Sequence, residues 1–464
     1  TLDTGAHTIS GTCDIALTNL SGERIGYIDL RLYSGAITDG SYITGVENAD
    51  TGRSYDFMPD VDGSLYAVRL QDDGMEPGSS MTLRVTFVSE IPEIDDRFGY
   101  HEDDVLTMYC LSFCFPQVSL YHDGAWDEDP YYDDGETEVN VMTDYTVTLH
   151  APADLTVAAS GHQTTENGVT RIEAPNVREI GIVCCDHMTV YSEEINGVTF
   201  NQYCPSYEGL LPFYDNMLAN TEAAVEVYTE YIGPYIYDEI DIVPVHLGSC
   251  GSGMEMPGLI MNGLPVFFYP DRGNGQPVFS ELSYVDSAIT TAHETAHQWF
   301  YCAVGDDQYD EAWLDESFAS FVSEYLYVLE WPDAMDRAVQ LDDEEGLDPY
   351  TYLVDRADPY SDVVNQMRYM QGMTATPYIN WPVSDYPNDY DYTICVYYYG
   401  EYFLAELQHA MGDEMFYRMM RDYYADASGQ ISRGGCFVRC VLSYDHSDEV
   451  LDVLERYVDP SALL

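Results

Sequence analysis

Apolar and polar positions alternate through much of the first part of the chain. Residues 8–19 and 24–33 follow period two, the second run placing Ile28, Leu30 and Leu32 on one face. Leu83, Val85 and Phe87 form another such run, as do Tyr145, Val147 and Leu149. Successive side chains of an extended strand point to opposite faces, so this spacing predicts half-buried strands. Ser21-Gly22, Asp62-Gly63, Pro77-Gly78 and Asp123-Gly124 supply the turns between them. Residues 1–195 are therefore expected to form an antiparallel β domain. Past Gly197 the period changes. Helices are predicted over 214–231, 286–304, 317–329, 402–411 and 413–424, with a short apolar strand at 240–247. Gly305 is the expected stop of the 286–304 helix. The whole reads as an α+β multidomain chain, with a helix-rich second domain over 196–464.

Length agrees with that division, since 464 residues exceed what one ordinary core holds. Charge adds more. The chain has 82 acidic residues against 17 basic ones, a net charge of −65, and every basic residue is Arg. This matches a salt-adapted acidic surface, in which carboxylates stay solvated and their repulsion is screened. A nucleic-acid partner is excluded by the sign of the charge, and an anionic membrane surface is disfavoured for the same reason. No run of eighteen apolar residues offers a membrane span. The chain opens at Thr1 rather than Met, which leaves room for an upstream leader or anchor. With the acidic exterior this points to an extracellular or cell-envelope location, a cytoplasmic one being the alternative. The acidic stretch DEDPYYDDGETE, 127–138, lacks the spacing of an EF-hand calcium loop and is expected to be a solvated loop. Eleven cysteines without a C-x-x-C pair read as mostly buried free thiols rather than a disulfide framework. Nothing in the pattern sets an oligomeric state.

Candidate chemistry lies in TTAHETAHQWF. His293 and His297 are four residues apart, close to one helical turn, so both imidazoles project from one face and can hold a single zinc ion. Glu294 lies where a general base can reach water at such an ion. A catalytic zinc needs a third protein ligand. Glu316, in WLDESF, follows His297 after eighteen intervening residues, enough chain for a turn and an antiparallel helix. Taken alone, Glu316 also reads as a carboxylate favoured at a helix start.

Together these motifs resemble the aminopeptidase N-like zinc aminopeptidases, the exopeptidase branch of the gluzincins. HETAHQWF followed by AVGDDQYDEAWLDESFASF is similar to that family throughout. SCGSGMEMPG, with Gly251, Gly253, Met254 and Glu255, stands where the family has G-x-M-E-N, although Met256 replaces its Asn. VYYYGEYFLAEL offers Tyr397 followed by Gly400, similar to the family's Tyr and Gly at a helix start, with Tyr399 where the family usually has Lys. LYHDGAWDEDPYY and YTVTLHAP resemble its saddle-like N-terminal domain, whereas its large helical C-terminal domain has no counterpart in the sequence. The resemblance implies a thermolysin-like catalytic domain with one zinc on His293, His297 and Glu316. It implies Glu294 as general base and Tyr397 as oxyanion donor. Glu255 would bind the free amino terminus of a peptide, with Gly253, Met254 and Met256 along the substrate. The implied activity is removal of single residues from peptides with a free N-terminus. The alternatives are a thermolysin-type endopeptidase and a catalytically silent binding protein of the same fold.

Overall fold

The structure is a computed structural model and describes residues 1–60, 62–132, 135, 137–248, 253–264, 268–270, 277–279, 281–330, 359–370, 373–374 and 378–463. Up to Cys185 the strands among these residues form four antiparallel sheets and one short hairpin. Thr8–Thr18 pairs with Ser80–Glu90 in an unbroken register from Thr8 opposite Glu90 to Thr18 opposite Ser80. The alternation of Leu83 and Val85 is explained by what they face. They share a core with Ile28, Leu30 and Val68 of the neighbouring sheet.

Beyond this pair of sheets lies a stack of layers. The sheet of Thr156–Ala159, Ile182–Cys185, Thr107–Leu111 and Phe98–Glu102 is covered on both sides. Tyr109, Leu111, Ile182 and Cys184 pack with Ile172 and Ala174 of the 143–177 sheet. Their neighbours Met108, Cys110, Val183 and Cys185 pack the other way, against Val243 and Met261. Burial on both faces removes the alternation from sequences such as IVCC, since neither face needs polar residues. The next layer is a mixed sheet in the order Met188–Ile195, Val198–Pro205, Glu239–Val245, Leu259–Gly263, Gly253–Met256. Its central strand runs parallel to both neighbours. Phe200, Ile240, Ile242 and Ile260 on its far face enter the core of the helices. The β-rich first part and helix-rich second part expected from the pattern are both present. The 195/196 position falls in the Asn196-Gly197 turn, where φ values of 54° and 88° reverse the chain between the first two strands of the mixed sheet. Fully buried Asp241 ties that sheet to the two before it, accepting from the Ala159 N–H of one at 3.2 Å and from Gln163 Nε2 of the other at 2.7 Å.

Two expectations need correction. The helix expected over 286–304 instead spans Glu281–Ala296, and the residues after it turn. The cause is Arg178, 1% exposed. Its guanidinium donates to the carbonyls of Tyr301 at 2.6 Å and Ala303 at 3.1 Å, and to those of Asn140 and Gln430. Drawn to that charge, these carbonyls cannot serve a helix. Tyr301 reverses the chain at φ 102°. Gly305 lies so close beneath Arg178 that an added Cβ would sit 2.1 Å from Cζ. The 127–138 stretch is not a wholly solvated loop either. Asp127 and Glu138 are 7% and 2% exposed, and Asp127 forms a buried ion pair with Arg31 at 3.0 Å.

Of the ten cysteines among the described residues, all are free thiols and seven are buried; Cys250 lies outside the described residues. No helix among the described residues is long and apolar enough to cross a membrane.

Candidate metal centre

The Glu281–Ala296 helix is fixed by its small residues. Ala288, Ala292 and Ala296 recur every fourth position and are buried, which allows close approach to the Leu211–Tyr231 helix. The Tyr228 hydroxyl donates to the Ala292 carbonyl at 2.9 Å across that contact. With this stripe inside, the adjoining face of the helix carries His293 and, one turn on, His297. Although the helical pattern ends at Ala296, the His297 N–H still reaches the His293 carbonyl at 3.3 Å. The two rings therefore remain on one side, with centroids 4.7 Å apart.

Facing them is the 316–330 helix, widened over Phe321–Tyr327 and anchored by Phe318 and Phe321 in the core. Its first residue is Glu316, whose Oε2 lies 3.1 Å from His293 Nε2 and 3.5 Å from His297 Nε2. Ligand atoms on a tetrahedral zinc with bonds near 2.05 Å are about 3.3 Å apart. Two imidazole nitrogens and a carboxylate oxygen at these separations fit such an ion. Burial raises the Glu316 pKa, but the hydrogen bond with His293, the charges of His297 and His293, and the Tyr397 hydroxyl outweigh it and hold the carboxyl below its usual range.

The other nitrogen of His297, Nδ1, is paired with Asp315 Oδ1. Gln308 Nε2 donates to the second oxygen of Asp315 at 2.9 Å. This chain fixes the ring so that Nε2 is the atom presented to Glu316. Asp315 and Gln308 were not anticipated from the sequence. The one available signal was an Asp directly before Glu316 in WLDESF.

Tyr397 lies in a second widened helical segment, Ile394–Tyr399. Its hydroxyl donates to Glu316 Oε1 at 2.6 Å, and its ring stacks along that of His293 at 6.1 Å. Gly400 makes the approach possible. A Cβ there would lie 1.9 Å from Ser317 Oγ, and Ser317 Oγ donates to the Val396 carbonyl at 2.5 Å.

The edge strand Gly253–Met256 borders the same place. Met254 and Met256 turn into the core with Val243 and Met261. Glu255 points the other way, and one oxygen each of Glu255 and Glu294 lies within 4.8 Å of a ring nitrogen of His297 and of one another. Gly253 is packed so closely on Glu294 that an added Cβ would be 2.1 Å from Oε1. Gln298 clamps this strand, donating to the Met256 carbonyl at 3.1 Å and accepting from the Gly258 N–H at 2.8 Å. Gly251 lies outside the described residues. Of the sequence-predicted residues, His293, His297, Glu316, Glu294, Tyr397, Glu255 and Gly253 thus meet in one cleft, while the side chains of Met254 and Met256 do not.

The family model described as "Peptidase family M1 domain" matches residues 217–457. Aminopeptidase 2 of Candida albicans is 28% identical over 180 residues, 36% of this chain and 18% of that protein. Aminopeptidase N of Plutella xylostella is 33% identical over 109 residues, 24% of this chain and 11% of that protein. The matches thus span less than a fifth of the length of these curated relatives. Among solved structures, the M1 zinc metallopeptidase of Deinococcus radiodurans is similar with a TM-score of 0.61 at 16% identity, over 97% of this chain and 91% of that one. A mutant of a two-domain M1 zinc metallopeptidase bound to L-arginine gives 0.64 at 16% identity, over 98% and 91%. At such identity the likeness is one of fold.

Proposed function

The chain belongs to peptidase family M1, and on that premise we propose that it is a zinc-dependent aminopeptidase that removes single residues from the free amino terminus of peptides. In this reading residues 1–195 form a saddle-like N-terminal domain and 196–464 a thermolysin-like catalytic domain. His293, His297 and Glu316 would hold one zinc ion. The observation that carries the reading is the place of Glu255, whose carboxylate stands beside Glu294 and His297 on an edge strand of the cleft. An endopeptidase has no need of a carboxylate there. An aminopeptidase needs one to accept charge-assisted hydrogen bonds from the substrate's α-ammonium group.

When bound, zinc supplies Lewis-acid chemistry, acidifying water and polarising a carbonyl. The chain's own residues do the rest. Glu294 takes the proton of the attacking water and passes it to the leaving amine. Tyr397, whose hydroxyl now donates to Glu316, turns that donor toward the developing oxyanion. Glu255 fixes the amino terminus so that the first peptide bond lies at Glu294. Asp315 and Gln308 keep His297 in one tautomer.

The test uses one short peptide with a free and with an acetylated amino terminus, products being followed by mass spectrometry. Stepwise loss of single residues from the free form alone is expected. Internal cleavage of both forms would mean an endopeptidase, and no cleavage with zinc bound would favour a silent binding protein. Glu294→Gln is expected to lower kcat by about 10²–10⁴-fold with zinc retained. Glu255→Ala should chiefly raise KM for free-amine peptides; unchanged kinetics would remove its role.

A further inference from the structure

The acidic stretch at 127–138 and the turn beyond His297 meet away from the cleft described above. Three carboxylates come together there: Asp127 and Asp129 from the stretch, Asp307 from the turn. One oxygen of each lies within 4.8 Å of the others. Arg31 shapes the stretch, donating to the carbonyls of Asp127 at 3.0 Å and Asp129 at 2.6 Å and to Asp127 Oδ1 at 3.0 Å. Asp127 Oδ1 also accepts the Asp129 N–H. The second oxygen, Oδ2, is sealed from solvent and accepts no hydrogen bond, in a residue only 7% exposed. Asp307 caps the Asp310 N–H through Oδ1 and pairs with Arg433 at 3.0 Å through Oδ2. No hydrogen bond to the Asp129 carboxylate is found among the described residues.

A buried carboxylate oxygen without a partner costs free energy, and three converging carboxylates repel one another. Burial, then Asp127, Asp310 and Asp307, push Asp129 up to about 7. Burial and the charges of Asp127 and Asp310 push Asp307 up to about 6. Arg31 pairs with Asp127 and Arg433 with Asp307, two positive charges against three carboxylates, so the electrostatics of the place favour a further positive charge beside Asp129. All donors are oxygen, which selects a hard ion. The part-exposed Asp129 leaves room for waters to complete a flexible shell, which suits calcium better than the strict octahedron of magnesium.

We propose that Asp127, Asp129 and Asp307 form a binding site for one calcium-type divalent cation, which clasps the 127–138 stretch to the turn that follows His297. The clasp would also bear on the cleft wall. Gly135 of the same stretch lies against Tyr392, an added Cβ being 2.6 Å from its hydroxyl, and the Tyr392 ring meets that of Tyr397 at 6.1 Å.

The zinc-loaded full chain is titrated with Ca²⁺ by calorimetry in about 0.5 M NaCl, where screening suppresses diffuse attraction to a highly acidic surface. Tb³⁺ luminescence excited through the neighbouring Trp126 gives a second readout. Saturation at one ion per chain is expected, with zinc content unchanged. Asp129→Asn, which breaks no hydrogen bond to its carboxylate, should weaken Ca²⁺ at least tenfold and remove the Tb³⁺ signal. Asp238→Asn, at an exposed carboxylate elsewhere, should leave both as they were. No saturable binding up to about 10 mM Ca²⁺, the weak end of protein calcium sites, overturns the proposal. So does an Asp129→Asn isotherm that overlays the wild type.

Discussion

Gly253 is defined by what stands where its side chain would be. A Cβ there would lie 2.1 Å from Glu294 Oε1 and 2.2 Å from its Cδ. Alanine must therefore displace the carboxylate by an ångström or more, and if Glu294 is the base proposed above, such a misplacement costs about 10²-fold in rate. Gly253→Ala is expected to lower kcat by that order with zinc content and melting temperature little changed. Wild-type turnover would show that the strand does not place Glu294. Asp315 acts on His297, the proposed zinc ligand, instead. Asp315→Ala should weaken zinc by about 10–100-fold, read by competition with a chelator, because His297 loses the group that fixes its ring. Unchanged affinity would leave the pair without a role. These residues differ in how readable they were. His293, Glu294 and His297 lie within one helical turn, so spacing alone groups them. Asp315 and Gln308 reach His297 only through the turn between the helices, whose path no periodicity encodes. The same holds for Met254 and Met256, whose neighbours in GMEM gave no hint that they face the core.

At the scale of elements, the end of the His293 helix shows where local pattern stops being informative. WFYCAV is apolar and unbroken up to Gly305, so a helix to 304 is the natural reading. Its true end is set by a side chain 123 positions away in sequence, Arg178 donating to the Tyr301 carbonyl. Long-range ties of this kind also explain the acidic stretch, which reads as solvated until Arg31 and Asp307 are brought to it. By contrast, strands with one covered face and helices with a continuous apolar stripe, such as Asp413–Ala427, were legible because their pattern reports local burial. Arg178→Met tests the staple. It takes a donor from the carbonyls of Asn140, Tyr301, Ala303 and Gln430, of which Ala303 keeps the Gly429 N–H and Gln430 the Gly305 N–H. Leaving a buried acceptor such as the Tyr301 carbonyl unsatisfied costs about 1–3 kcal/mol. The denaturant midpoint should fall accordingly, with an unchanged slope. A loss below about 1 kcal/mol, the worth of a single ordinary hydrogen bond, would mean that water or a rearranged turn replaces the arginine.

For the molecule as a whole, charge is the governing quantity. A net charge of −65 makes the compact state repel itself, and salt relieves this as the Debye length shrinks from about 10 Å at 0.1 M to about 3 Å at 1 M. Buried carboxylates add a separate term. Burial pushes Asp241 up to about 7, Glu239 adding to it against hydrogen bonds from Asn201 and Ala159. Burial, then Glu128, do the same for Asp29. Burial with Asp307 and Asp310 does so for Glu311, against the Gly434 N–H and Arg433. Unfolded carboxyls titrate near about 4, so between there and about 7 the native state holds more protons than the unfolded chain. Stability must then fall as pH rises through 7. Carboxyls held low, such as Asp14 beside Arg84, are ionised in both states at these pH values and contribute no slope. The melting temperature of the zinc-saturated protein should therefore fall from about pH 6.5 to 8.5, above the range where unfolded histidines compete with zinc. About 1 M NaCl should raise the whole curve by screening the surface while leaving part of the slope, since salt does not reach the buried groups. Asp241→Asn should reduce that remaining slope, Asp29 and Glu311 keeping the rest. A melting temperature that climbs with pH across this window would mean that these carboxyls find charge partners in the folded chain, and the acidic interior would need a different account.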